Sequence, residues 1–314
     1  MSPPKLSIVS PVFRAAPIVE ELVRQVVAGS TLVTADFEIV LVDDGSPDNS
    51  WAAIVAAAAK DQRVRGIRLS RNFGQHRAIS AGLANSRGEH VVVMDCDLQD
   101  DPAYIPALVE KARQGFDVVL ARRAKRKHSW IRNLTAGIFF RVFNTLTDRQ
   151  AADSGIGGYS LINRKVVESY LRIGDVHRHY LLILGWMGFK TAAIPVEHRQ
   201  RLAGRSSYSF GKLISHALEG ITSQSTKLLR ISVGLGFAYF IAAIVGVIYL
   251  LVSYYLHGFR AGWASTFVLL LGSTGLILMA VGILGIYIGN IFDQVRARPL
   301  YLIQESCNFD APPR

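Results

Sequence analysis

His90-Val91-Val92-Val93-Met94-Asp95-Cys96-Asp97-Leu98-Gln99-Asp100-Asp101-Pro102 is a short apolar run that ends abruptly in carboxylates. The run is too short for a helix and is rich in β-branched residues, which argues for a buried strand over residues 90–94. Pro102 then opens a helical stretch to about Gln114. The same unit recurs upstream. Strand-like runs at 6–11, 37–42 and 64–69 alternate with helical stretches that open at Pro17, at Asp48 and at about Gln75, and a fifth run lies at 117–121. In the first helical stretch Glu20 and Glu21 fall in the opening turn and Gly29 at the end, and Asp48 is placed to cap the Ala-rich helix that runs to about Lys60. Strands that alternate with single helices need crossover connections, so the expected fold is α/β with a mainly parallel sheet. Ligands of such sheets gather beyond the carboxyl ends of the strands, and that is where Asp95 and Asp97 are expected.

Beyond residue 122 the pattern changes. Strands are expected at 156–162 and 191–196, and helices at 164–171 and 179–185. A one-sided apolar spacing runs through Leu213, Ile214, Ala217, Leu218, Ile221, Leu228 and Leu229, as an amphipathic helix requires. Residues 231–256 and 261–292 contain no Lys, Arg, Asp or Glu. Each run exceeds the roughly 20 residues that cross a bilayer. The link between them holds Arg260 alone, whereas Arg230 precedes the first run and Arg296 and Arg298 follow the second. The positive-inside tendency therefore puts both chain ends in the cytoplasm and the link outside.

The chain has 314 residues, half of them hydrophobic, and a formal net charge of +11. Such a balance fits nucleic acid, an anionic membrane surface or an acidic substrate. The densest positive segment is Arg122-Arg123-Ala124-Lys125-Arg126-Lys127-His128, with Arg132 beyond it. No nucleic-acid motif or interleaved aromatic accompanies it, so in a chain with two apolar spans the expected partner is membrane lipid rather than nucleic acid. Cys96 and Cys307 make neither a disulfide framework nor a metal pattern. The opening residues read as a strand rather than a secretory signal.

Two constellations carry chemistry. Val42-Asp43-Asp44-Gly45-Ser46 ends the second strand at the ligand edge, although an Asp-Gly turn is also ordinary loop chemistry. Asp95 and Asp97, separated by one residue, can share a hard cation, Mg2+ or Mn2+, which prefers oxygen ligands and bridges to phosphates. Asp153-Ser154-Gly155 and the segment from His198 to Tyr208 are not interpretable from their residues alone. There is no Gly-rich phosphate loop and no Gly-x-Ser-x-Gly elbow, and the histidines do not cluster at metal spacing.

In order and spacing, these segments together resemble the inverting family 2 glycosyltransferases of the polyprenyl-phosphate branch. The likeness runs through Ser7 to Phe13, Asp43 to Ser46, Asn72-Phe73-Gly74-Gln75 and Asp95 to Asp100. It continues through Arg201 to Tyr208, the two spans and Arg298-Pro299-Leu300-Tyr301. Two segments depart from the family pattern: Phe13-Arg14-Ala15 stands where Tyr-Asn-Glu is usual, and Asp153-Ser154-Gly155 lacks the following Phe-Arg.

The resemblance implies a GT-A catalytic domain over residues 1–210 and an interfacial helix over 211–230. Two transmembrane helices would occupy 231–292, and a tail over 293–314 would return to the catalytic domain. It also implies transfer of a sugar, with inversion, from a nucleotide sugar to a polyprenyl phosphate at the cytoplasmic face of a membrane, with a bacterial inner membrane and a UDP-sugar favoured. Pro11, Phe13, Asp43 and Asp44 would hold the nucleotide. Asp95, Asp97 and Gln99 would hold the metal and the donor diphosphate. Arg122, Arg132, Arg201 and Ser206 would face the acceptor phosphate, Asp97 and Asp153 would be catalytic, and the chain would form a homo-oligomer such as a tetramer. The rival readings are a processive polysaccharide synthase, which would carry a Gln-x-x-Arg-Trp motif that is absent here, and a non-catalytic membrane scaffold that keeps the fold.

Overall fold

The computed structural model describes residues 4–123, 156–176, 178–197, 227–257 and 262–309. Arg132, Asp153, Arg201, Ser206 and the amphipathic stretch 211–226 lie outside the described residues. Two compact units emerge: one holds a β-sheet with its helices and the segment from Arg298 onward, and the other holds two long apolar helices.

In the first unit, β1 (Leu6–Val12), β2 (Phe37–Asp43), β3 (Val64–Leu69) and β4 (His90–Val93) alternate with α1 (Val19–Thr31), α2 (Ser50–Lys60) and α3 (Gln75–Asn85). A single 3-10 turn at Pro102–Tyr104 leads into α4 (Ile105–Arg113), and β5 (Val118–Arg123) follows. Then come β6 (Ile156–Asn163), α5 (Arg164–Arg172), α6 (Tyr180–Met187), β7 (Thr191–Val196) and β8 (Ile303–Cys307). The sheet order is β7-β5-β6-β4-β1-β2-β3-β8 among the described residues.

The expected α/β layering is present, and the sheet is mixed. β1 runs parallel to β2 and β4, β2 to β3, and β5 to β7. β6 enters antiparallel between β4 and β5, and β8 antiparallel against β3. The parallel pairs β1–β2 and β2–β3 are each joined through a single helix, the connection that fixes a parallel direction. All the other strands still point the same way, so the carboxyl ends of β1, β2, β4 and β5 share one edge.

Each central strand is buried on both faces, which explains its near-continuous apolar sequence. In β2, Phe37, Ile39 and Leu41 enter one core layer with α1, α2 and α4, while Val40 and Val42 enter the other beneath α3. Each buried Leu, Ile or Val contributes about 1.5–3 kcal/mol of burial. Gly29 does not end α1, which continues to Thr31. A Cβ at Gly29 would lie 2.4 Å from the Pro102 carbonyl oxygen, so this glycine is needed for the close approach of the segment that follows Asp95 and Asp97. Asp48 accepts hydrogen bonds from the Ser50 backbone N–H and hydroxyl at 3.2 and 2.6 Å, tying down the first turn of α2.

The second unit contains α7 (Lys227–His257) and α8 (Trp263–Val295), in which 229–256 and 269–295 are long and apolar enough to cross a membrane. They touch each other, with the Tyr239 hydroxyl donating to the Leu269 carbonyl at 3.2 Å. Neither apolar window is buried inside the protein, and side chains such as Phe237, Ile248, Leu270 and Ile288 are exposed. An apolar surface of this extent fits lipid far better than water.

Candidate active site

The first wall of the site is the turn after β2. Asp43 ends β2 and Asp44 opens the turn that follows it. Asp43 is fully buried: its Oδ1 accepts from the Ser46 N–H at 3.2 Å, and its Oδ2 lies 3.6 Å from Arg68 Nε. Burial pushes its carboxyl up from the ordinary value, against the pull of Ser46 and Arg68. Asp44 accepts from the backbone N–H groups of Phe73 and Gly74 at 2.7 and 2.9 Å. Burial lifts it to about 6 in spite of those bonds. Both carboxylates therefore organise loops. Gly45, between them and Ser46, has φ of +60°, and a Cβ there would lie 2.4 Å from the Arg71 carbonyl carbon. The turn and the 71–74 loop are pressed together backbone to backbone, which only glycine permits.

The second wall is the end of β1. Asp44 N–H donates to the Val12 carbonyl at 2.9 Å, and the Ser46 hydroxyl accepts from Arg14 N–H at 3.1 Å. Arg14 is held at φ of 52°, unusual for a residue with a side chain. Pro11 is buried within β1, opposite Val42, whereas Phe13 is 42 % exposed at the edge.

Beyond β4 comes the floor. Asp95 and Asp97 are partly exposed there, and Gln75, the first residue of α3, donates from Nε2 to Asp95 Oδ1 at 2.6 Å. Asp97 Oδ1 accepts from the Gln99 N–H at 3.1 Å, and Leu98 between them is buried with φ of 57°. That left-handed residue keeps the loop from continuing as a strand and aims the carboxylates outward. Burial pushes Asp100 up to about 6, with Arg123 pulling the other way. Burial also pushes the Cys96 thiol up to about 12, away from the thiolate form.

β5 and β6 close the remaining side. Side chains alternate along β5, leaving Arg122 exposed while Arg123 turns in toward Asp100. A Cβ on Gly157 of β6 would lie 3.1 Å from Arg123 Nη2, and one on Gly158 would lie 3.8 Å from Asp95 Oδ1. The small residues of β6 thus leave room beside both groups. Sequence reasoning gave a role to Arg122, quoted Arg123 and Gln75 within longer segments without one, and passed over Arg68; the two-residue period of β5 was the signal available for Arg123.

Among the described residues no three His, Cys, Asp or Glu side chains converge as a metal cage. Two partly exposed carboxylates, one residue apart, instead suit a hard cation that takes its other oxygens from water and phosphates.

Residues 7–171 match the family model described as "Glycosyl transferase family 2". An undecaprenyl-phosphate 4-deoxy-4-formamido-L-arabinose transferase of Photorhabdus laumondii is 34 % identical over 309 residues, covering 96 % of this chain and 94 % of that one. An uncharacterised glycosyltransferase of Bacillus subtilis is 33 % identical over 305 residues, 96 % of this chain and 93 % of its own. Among solved structures, glucosyl-3-phosphoglycerate synthase of Mycobacterium tuberculosis, in complex with Mn2+, UDP-glucose and phosphoglyceric acid, superimposes with a TM-score of 0.50 at 19 % identity. It covers 70 % of this chain and 78 % of that one. Mannosyl-3-phosphoglycerate synthase of Rubrobacter xylanophilus gives 0.50 at 16 %, over 70 % and 72 %. These neighbours share the GT-A sheet, and with the family match across more than half of its length, this chain belongs to glycosyl transferase family 2.

Proposed function

We propose that the protein transfers a sugar from a nucleotide sugar to a polyprenyl phosphate, with inversion, at the cytoplasmic face of a membrane. The observation that carries the reading is Asp95 and Asp97 at the strand edge shared with the 43–46 turn. They sit in a chain that aligns over 96 % of its length with a transferase named for undecaprenyl phosphate, and that also has two candidate membrane spans.

Asp43 and Asp44 serve the nucleotide indirectly, by fixing the turn and the 71–74 loop, while Pro11 shapes the end of β1 and Phe13 offers an exposed ring to the base. Asp95, Asp97 and Gln99 would hold a divalent cation against the donor diphosphate; the Mn2+ in the mycobacterial neighbour supports that choice. Such a cation, when bound, neutralises charge on the departing nucleotide diphosphate. Gln75 keeps the Asp95 carboxylate oriented. The acceptor phosphate is anionic at neutral pH and needs little help from a base, so positioning and charge stabilisation dominate. One of its oxygens bonds to the anomeric carbon as the bond from that carbon to the diphosphate oxygen breaks. Arg123, turned inward, joins Arg122, Arg132, Arg201 and Ser206 as a candidate holder of the acceptor phosphate, and Asp153 would orient it. The favoured donor is a UDP-sugar, and the favoured assembly is a homo-oligomer.

The test is to incubate membranes that contain the protein with a panel of labelled UDP- and GDP-sugars and to extract the lipids. Label in a mild-acid-labile polyprenyl product is expected, and no label from any donor would overturn the reading. For orientation, a cysteine at Gly258 should react with an impermeant reagent in intact cells and one at Arg314 should not; the reverse pattern would move the site to the other face.

A further inference from the structure

The strand that follows the second apolar helix does more than extend the sheet. On β8, Glu305 accepts from Arg68 Nη1 at 2.8 Å and from Trp51 Nε1 at 2.9 Å. Arg68, on β3, lies between two carboxylates, because its Nε is 3.6 Å from the fully buried Asp43 Oδ2. At that separation neither Arg68 Nε nor Asp43 Oδ2 has a hydrogen-bond partner, and both atoms are buried. The guanidinium thus makes its short contact with Glu305 and only the longer one with Asp43. The contact chain continues through the donor-side turn. Asp43 Oδ1 takes the Ser46 N–H, and the Ser46 hydroxyl takes the N–H of the strained Arg14, beside the exposed Phe13.

We propose that Glu305 is a positioning residue for the nucleotide. By clamping Arg68, it sets how Asp43 shapes the 43–46 turn, so that the strand returning from the second apolar helix completes the donor site. This inference rests on the nucleotide-sugar reading above. Charge-assisted bonds are shorter and more directional than neutral ones, and Arg68 is offered two carboxylates, one exposed on β8 and one buried at the end of β2, of which it makes full contact with the first. Removing the Glu305 charge frees Arg68 to close on Asp43, which weakens the Asp43–Ser46 bond and loosens the turn and the Phe13–Arg14 segment joined to it. The rest of the strand is anchored separately: Asn308 Nδ2 lies 2.8 Å from both the Ala58 and Val64 carbonyls, and Arg65 stacks on Phe309 at 4.0 Å. Detachment of β8 can therefore be told apart from loss of the clamp.

The experiment compares Glu305→Gln, Arg68→Gln, their combination and Asn308→Ala in the full chain. UDP and GDP binding in the presence of Mn2+ is measured by calorimetry, and donor and acceptor KM by lipid-linked label. Glu305→Gln is expected to weaken binding of the nucleotide that wild type prefers, and to raise donor KM, about tenfold, or about 1.4 kcal/mol. Its kcat and acceptor KM should stay within about twofold of wild type, a change below roughly 0.4 kcal/mol. Adding Arg68→Gln takes away the guanidinium that would close on Asp43, so the double variant should have a donor KM no higher than that of Glu305→Gln alone. Asn308→Ala should lower the melting temperature and leave donor KM unmoved. The inference is overturned if Glu305→Gln binds nucleotide like wild type, if it raises donor and acceptor KM together, or if Asn308→Ala raises donor KM as much. A wild-type protein that binds neither UDP nor GDP would instead overturn the function on which the inference rests.

Discussion

Glu38 is a carboxylate in the second residue of β2, only 3 % exposed, yet fully partnered. Its Oε1 accepts from the Ser7 hydroxyl at 2.7 Å and from Arg87 N–H at 2.6 Å. Its Oε2 accepts from Arg65 Nη1 at 2.5 Å and from Arg87 Nε at 3.2 Å. Arg65 is itself 6 % exposed, so Glu38→Ala strands a buried guanidinium. Breaking a buried pair from one side costs about 3–5 kcal/mol. A domain of this size loses about 2–4 °C of melting temperature per kcal/mol, so the variant should melt roughly 6–20 °C lower. Replacing both partners, Glu38→Leu with Arg65→Met, removes the uncompensated charge and should recover most of that loss. The site begins at Asp43, five strand positions from Glu38 and roughly 16 Å along β2, so donor KM at a permissive temperature should match wild type in every variant. The assay is thermal unfolding of the detergent-solubilised chain followed by tryptophan fluorescence, with initial rates measured well below the transition. If Glu38→Ala melts within about 2 °C of wild type, or if the double variant falls as far as the single one, the account of this network is wrong.

Other consequences follow from the site. Asp97→Asn should lower sugar transfer by at least about a hundredfold, some 2.7 kcal/mol, with the melting temperature unchanged; chelator should abolish wild-type transfer and Mg2+ or Mn2+ restore it, so undiminished turnover in chelator would refute metal dependence. Asp44 has its carboxyl raised in the fold from 3.8 to about 6. The fold therefore binds this proton more tightly than the unfolded chain does, and the associated stability is full below about pH 4 and lost as pH rises to 6, roughly 3 kcal/mol in all. Asp44→Asn should remove that slope, so denaturation profiles of the two proteins compared from pH 4 to 7 should diverge; parallel profiles would contradict the assignment. Gly45→Ala and Gly74→Ala both place an alanine at positive φ, at a cost of about 1–3 kcal/mol. Only Gly45 meets immovable backbone, at 2.4 Å, so Gly45→Ala should lose UDP binding as well as stability, and equal effects from the two would show that the turn and the 71–74 loop are not locked together.

Much of this architecture was legible because central strands must be apolar on both faces and helices on one. The runs at 6–11, 37–42, 64–69 and 90–94 each announced a strand to within a residue, and the carboxylates at their ends marked the edge where chemistry belongs. Sheet order was not legible. Nothing in the composition of Ile156–Asn163 says that it slides in antiparallel between β4 and β5, because pairing partners are chosen by tertiary packing rather than by periodicity. β8 was harder still: Ile303-Gln304-Glu305-Ser306-Cys307 is a polar edge strand, with too little apolar content to stand out from a tail.

The roles of individual charges depended on single-residue questions that a strand answers and a motif does not. Neighbouring charges meet different partners, Asp43 and Asp44 at the end of β2 as well as Arg122 and Arg123 on β5. The first pair divides into an Arg68 partner and a loop holder; the second divides into an exposed guanidinium and one turned toward Asp100. Glu38 makes the same point from the other end of β2. Within Phe37-Glu38-Ile39 it looks like an outward polar residue, and only the pairing of Ser7 with Glu38 and the arrival of Arg65 and Arg87 turn it into the centre of a buried network. In β2 the carboxylate at the amino end is enclosed by arginines, whereas those at the carboxyl end accept from the backbone N–H groups of Ser46, Phe73 and Gly74 and so tie down the two loops there.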